Sequence, residues 1–453
     1  MNVAPTNRGL RDYGILTLPL AFAGLPIYLH APDFYATSRG MATAQLGLIL
    51  MALRVIDALQ DPLIGILSDR FRQFRRSIML FSIGGLGISL VMLFNPPANW
   101  VAGWFAMWLF ISTTCYSLLS INLNTLGAIW SGNRYERTRI AGAREKFGLV
   151  GVTLGVILPG MMGIWLGKEK SFFILSAVVV ILLACSGWRF IYWSRRHPSL
   201  FPASAGGGLK GSMSYFARDP AVRGLVGVFM TGALGSALPA VLFLFFVRDR
   251  LQAEQWSWVF LLVYFGSAIA GLAFWRDLSR KTGKVQAWGL SIGLAIVSFG
   301  LAIPTGPGNL ILFGLVCLLT GFALGGDLIF PASLMADLVG DSEETRGRAS
   351  LGYSWLSFVQ KTGLGLAAGG ALFVLGSLGF VTGTVNSDAA LKGLIVLYAV
   401  VPLLLKLTSL ALLWKLKPLF DEDYEKDKEM DTGSGGLVVA GGSINRMQKP
   451  NEN

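Results

Sequence analysis

Arg54, Asp57 and Asp61 are ionisable residues in an otherwise apolar stretch, with residues 44–51 before it and 63–67 after. Gaps of three and then four residues put all three on one face of a helix. Two carboxylates one turn apart in low-dielectric surroundings are suited to holding a small cation, because a hard ion such as sodium needs several oxygens and gains from formal negative charge. Gln60 adds an amide oxygen, and Arg54 is the near counter-charge. Lys361, in a second apolar run far along the chain, supplies an ammonium that competes with a cation for the same carboxylates and so links ion occupancy to conformation. Each charge at the centre of a membrane helix costs roughly 2.5 to 3.5 kcal/mol, so such groups are read as functional and facing the bundle interior. The alternative is an inert core in which Arg54 and Lys361 neutralise the acids, a role that apolar residues fill more cheaply.

The elements that must position these residues follow from composition. With 53% hydrophobic and 14% charged residues among 453, the chain reads as an all-α membrane protein. Twelve transmembrane helices are expected, near residues 13–30, 44–68, 77–94, 100–130, 146–166, 172–193, 223–247, 256–275, 285–303, 310–338, 349–378 and 391–415. The net charge of +12 is not a nucleic-acid footprint. Its basic residues crowd alternate connections: Arg70, Arg72, Arg75 and Arg76, then Arg134, Arg137 and Arg139, then Arg195 and Arg196, then Arg276, Arg280 and Lys281, then Arg346 and Arg348. The positive-inside rule places that end, and with it both termini, in the cytoplasm. Cys115, Cys185 and Cys317 lie in apolar runs without metal-ligand spacing and read as packing residues.

Residues 194–222, with Pro198, Pro202 and Gly206, Gly207 and Gly208, read as a linker between six-helix halves at 1–193 and 223–415. The tail, 416–453, is expected to be disordered. Ser68-Asp69-Arg70 returns as Arg276-Asp277-Leu278, and Glu136-Arg137-Thr138 as Glu344-Thr345, at offsets of 208 and 207 residues. Two motifs at nearly one offset argue for parallel six-helix repeats, the arrangement of the major facilitator superfamily, with a binding site between halves near the midplane. Asp69, Arg70, Arg137, Arg144, Asp277 and Glu344 are expected to form a cytoplasmic gate that breaks as the halves rock. Asp327, an isolated acid in an apolar span, joins Tyr28, Tyr116, Ser120 and Asn124 as expected lining of the substrate cavity. There is no Gly-Lys-Ser/Thr phosphate loop, no Gly-x-Ser-x-Gly elbow and only two histidines, so no enzyme signature is present.

The stretch Arg54-Val55-Ile56-Asp57-Ala58-Leu59-Gln60-Asp61-Pro62, together with Glu136-Arg137, Ala336-Asp337 and Gln360-Lys361-Thr362-Gly363, resembles the glycoside-pentoside-hexuronide:cation symporters, the melibiose-carrier branch of that superfamily. The resemblance implies that Asp57 and Asp61 are the cation acids, that Ser117 is a cation-site hydroxyl and that Lys361 faces the site. It implies a symporter coupled to sodium or protons, with sodium at Asp57 and Asp61, carrying a glycoside or other small solute by alternating access. No other cofactor is implied. The family's sugar-gripping acids on the first and fourth helices have no counterpart here, which leaves a lipid-like or lysolipid substrate as one alternative. A non-transporting membrane assembly factor on the same fold is another. The chain is expected to act as a monomer in the plasma (inner) membrane, with the lipid bilayer, the cation and a small-molecule substrate as its partners.

Overall fold

The computed structural model describes residues 5–25, 27, 31–37, 39–97, 99–166, 168–201, 218–340, 343–381 and 386–436. The first span is made of pieces, α1 (Asn7–Gly14), α2 (Thr17–Leu25) and α3 (Ala31–Thr37). Pro19 falls in the first turn of α2, where its missing N–H costs nothing, so the break lies just before it. There follow α4 (Thr43–Arg70), α5 (Arg75–Leu93), α6 (Val101–Trp130), α7 (Arg134–Leu166) and α8 (Lys168–Arg196). The second half holds α9 (Pro220–Phe245), α10 (Ser257–Thr282), α11 (Lys284–Ala302), α12 (Leu310–Gly340), α13 (Ala349–Ser377), α14 (Asp388–Ile395) and α15 (Val401–Gly436). A π-helical turn, Val396–Val400, joins α14 to α15 as one span.

Among the described residues, nine helices are long and apolar enough to cross a membrane. The other three spans are the broken first one, α7 with its charged start, and α4, whose 28 residues include Arg54, Asp57 and Asp61. Several helices outrun the expected spans. α7 has 33 residues, about 50 Å at 1.5 Å per residue, against roughly 30 Å of hydrocarbon, so its first turns stand outside the bilayer. The last helix likewise runs past the expected end of its span at 415, to Gly436, and residues 421–430 are mostly good helix formers. The centre of the expected linker, 202–217, lies outside the described residues.

The halves meet where α4, α6 and α7 pack on α10, α12 and α13. Ala128, Ala141 and Leu149 of the first half belong to one buried cluster with residues of α12 and α13, so the seam is itself core. Glycines permit the closest approaches. A Cβ on Gly65 of α4 would lie 2.9 Å from the Leu351 Cα of α13, and a Cβ on Gly325 would lie 2.6 Å from the Leu272 amide nitrogen. Gly365 and Gly369, spaced like a contact motif, face open space instead. α4 is two-faced: Val55, Leu59, Leu63 and Leu67, one turn apart, are exposed where lipid would lie, while Asp57 and Asp61 are buried.

Gly65→Val should force α4 from α13. With spin labels at Arg70→Cys and Arg346→Cys in a chain lacking its native cysteines, pulsed EPR should show longer distances than in the same pair with Gly65. An unchanged distribution would mean that this approach does not hold the halves together.

Candidate ion site, gate and cavities

The fourth turn of α4 carries Asp57 to the seam, and α13 carries Lys361 to meet it. The Lys361 ammonium donates to Asp57 Oδ1 at 2.8 Å, Asp61 Oδ1 at 2.8 Å, Ser117 Oγ at 2.7 Å and the Asp57 carbonyl at 3.3 Å. Both carboxylates are buried, at 2% and 0% exposure. Four oxygens around one positive nitrogen, drawn from α4 and α6 of one half, make a cation site in which the lysine is the cation. Ser357 donates to Asp61 Oδ2 at 2.6 Å, so α13 holds both members of the pair. Gln60 does not offer its oxygen to this centre. Its amide nitrogen donates to Asp57 Oδ1 at 2.9 Å while its oxygen accepts from Thr114 Oγ1 at 3.0 Å, which makes it a brace for Asp57. Arg54 is half-buried one turn above Asp57.

Nearer the basic end, α4 closes on the other half a second time. Asp69 accepts from the Ser350 amide at 3.0 Å and the Leu351 amide at 2.9 Å, the second and third residues of α13. An acid from one half thereby caps a helix of the other, where free N–H groups and the helix dipole favour negative charge. Arg75 holds that acid at 3.4 Å and reaches Ser350 Oγ at 3.0 Å and Asn122 Oδ1 at 3.1 Å. A second buried latch joins Arg137 Nη1 to Asp337 Oδ1 at 3.3 Å, with Lys284 on Asp337 Oδ2 at 2.6 Å. The hydroxyls of Thr138 and Ser333 are bonded beside it at 2.8 Å.

Of the six residues expected at the cytoplasmic gate, Asp69 and Arg137 lie in these contacts between the halves, together with Arg75, Asn122, Lys284, Asp337 and Ser350, which sequence reasoning did not assign there. Arg70 is exposed and lies over the Phe71 ring. Asp277, the repeat partner of Asp69, has a side chain 60% exposed and pairs with its neighbour Arg276 at 2.8 Å. Arg144 lies about 15 Å along α7 from Arg134, deep in the bundle and paired with Glu145, because the helix begins a dozen residues before the expected span. The Glu344 side chain lies outside the described residues.

The expected cavity residues separate into two places. Tyr116, Ser120 and Asn124 are half-buried on α6, with Tyr116 in the electrostatic reach of Asp57, Asp61, Arg144 and Glu145. The Asn124 amide oxygen is buried and has no hydrogen-bond partner among the described residues, an acceptor left for a ligand. Tyr28 lies outside the described residues. Asp327 belongs to the second half instead: it accepts from Trp288 Nε1 at 3.0 Å and pairs with Lys406 of α15, beside a cavity of about 500 Å³. Lys406 was missed, although a lone lysine in the apolar run 401–414 was signal enough.

Lys361→Met should remove the ammonium that Asp57 and Asp61 share. Removing one partner of a buried pair costs about 3 to 5 kcal/mol, so unfolding in detergent should shift by that order, with much of it recovered in Lys361→Met combined with Asp61→Asn. Equal stability of the single variant and the wild type would show that the lysine is not the counter-charge.

A family model described as MFS/sugar transport protein matches residues 13–417. The chain is 23% identical to the Inner membrane symporter YicJ of Escherichia coli over 84% of its length and 85% of the relative's. It is 24% identical to the Isoprimeverose transporter of Lactiplantibacillus pentosus over 90% and 88%. Among solved structures, a bacterial homologue of the iron transporter ferroportin in outward-facing state superposes with a TM-score of 0.69 at 13% identity, covering 91% of this chain and 99% of that one. The transporter FucP in the outward conformation gives 0.65 at 13% identity, covering 88% and 98%. These two share the fold. Because the family model spans both halves and the seam between them, the chain belongs to the MFS/sugar transport protein family and is a multi-pass membrane transporter, not an enzyme.

Proposed function

We propose that the chain is a sodium-coupled symporter of a small hydroxylated solute, of the glycoside class for which several relatives are named, working in the plasma (inner) membrane. The observation that carries this reading is the Lys361 ammonium held by four oxygens from Asp57, Asp61 and Ser117. A monovalent cation entering from the open side takes the same oxygens and releases the lysine. Lys361 is the strongest tie between α4 and α13 at mid-depth, so its release loosens the helices that Asp69 locks at the basic end. Substrate binding beside Tyr116, Ser120 and Asn124, with Arg144 and Glu145 in reach, supplies the remaining energy for the halves to rock and the latches at Asp69 and Asp337 to open. The basic end is cytoplasmic by the positive-inside rule, which puts the closed latches inside and leaves the ion site to be reached from the outer side. A single chain suffices, because its own two halves complete the site.

A lipid-like substrate draws on the apolar walls of the cavity beside Asp327. Its volume of about 500 Å³ suits a compact ligand, at the small end of the range for drug-sized sites, and is short of room for a long acyl chain.

Proteoliposome counterflow with a panel of labelled glycosides should depend on sodium, and Asp57→Asn and Asp61→Asn should each lower the sodium-dependent rate at least about tenfold, since a missing buried ligand costs more than 1.4 kcal/mol. Uptake driven by a proton gradient without sodium would replace sodium by the proton. Sodium-induced thermal stabilisation with no counterflow of any glycoside would keep the ion site and reject the substrate class.

A further inference from the structure

The cavity beside Asp327 is walled by the second half and by Gly155 and Val156 of α7; its walls are mainly apolar, among them Phe243 of α9, Tyr264 and Phe265 of α10 and Phe299 of α11, and its polar end is the pair Asp327 and Lys406. Lys406 is 1% exposed, and among the described residues its ammonium has a single acceptor, Asp327 Oδ2. An ammonium carries three donors, so two are unused. Asp327 accepts one bond at each oxygen, from Lys406 and from Trp288, and keeps lone pairs on the cavity side. The polar end therefore lacks an acceptor for the lysine and a donor for the aspartate, while the pair already has no net charge.

A ligand that completes both without adding charge is a carboxylic acid. We propose that this cavity binds a compact organic acid with an apolar body, taken up together with one proton. The ligand carboxylate and the proton form an O–H that donates to Asp327, the acid's carbonyl accepts from Lys406, and the net charge of the site is unchanged. A free anion would leave one uncompensated negative charge among apolar walls, and an amine would leave a positive one. The other titratable groups on the wall are Tyr264 from α10, Cys317 from α12 and Tyr398 from the π-helical turn. The parts of α7, α9 and α11 that line the cavity bring no ionisable side chain.

The test uses the full-length protein in lipid nanodiscs and isothermal titration with hydrocinnamate, against hydrocinnamyl alcohol, in buffers of different ionisation heat. Each titration is run in sodium and in choline medium, so that a failed symport reading leaves the result standing. Hydrocinnamate should bind with uptake of one proton, its affinity falling about tenfold per pH unit between about pH 5.5 and about pH 7.5. Lys406→Met should weaken it at least about tenfold. Asp327→Asn should bind it as the direct counter-ion of Lys406, with no proton taken up and no dependence on pH. If Lys406→Met does not fold, the proton count in Asp327→Asn decides alone. No saturable binding to the wild type, an alcohol that binds as tightly as the acid, or a proton count unchanged in Asp327→Asn would each overturn the assignment.

Discussion

The organising constraint is the cost of keeping an ammonium and two carboxylates inside a bilayer. α13 by itself would hold a lysine in hydrocarbon, and α4 two acids against one arginine. Their desolvation is offset where Lys361 lies between Asp57 and Asp61, with Gln60, Ser117 and Ser357 bonded around them. The close approach at Gly65 and the buried seam around Ala128, Ala141 and Leu149 follow from the need to bring those helices within hydrogen-bonding distance. Burial of charge, which would destabilise either half, becomes the reason the halves associate.

The same logic distributes tasks along α4. Its outward face at Val55, Leu59, Leu63 and Leu67 carries no specificity beyond being apolar, so the inward face is free to hold the ion site at mid-depth and the latch at Asp69. A rigid helix of 28 residues couples the two mechanically. The second half has no such axis. Its ion pair, Asp327 with Lys406, ties α12 to α15 within that half.

Much of this was legible in the chain because lone charges in apolar runs are rare and expensive. Asp57, Asp61 and Lys361 stood out for that reason, and the twelve spans followed from apolar length and alternating basic connections. The internal repeat misled at Asp277. Its sequence echoes Asp69, but Asp69 meets the free amides that begin α13 whereas Asp277 has its neighbour Arg276 and water, and no local pattern encodes which helix end lies opposite. Arg144 was misplaced because its span was cut at the first charges, although a helix continues for several turns outside hydrocarbon. Gln60 turns its nitrogen and not its oxygen to Asp57, because spacing sets where an amide lies and not which end of it turns inward; Thr114, on a different helix, decides that.

Asp69 grips main-chain N–H groups, which every residue but proline possesses. The receiving half thus offers a lock whose shape is indifferent to the side chains at positions 350 and 351. Sequence drift along the start of α13 can retune the neighbouring bond from Arg75 to Ser350 without removing the keyhole, and only α4 can lose the key. Variation in closure among relatives of this fold would then accumulate asymmetrically, on the donor of the carboxylate and not on the backbone that receives it.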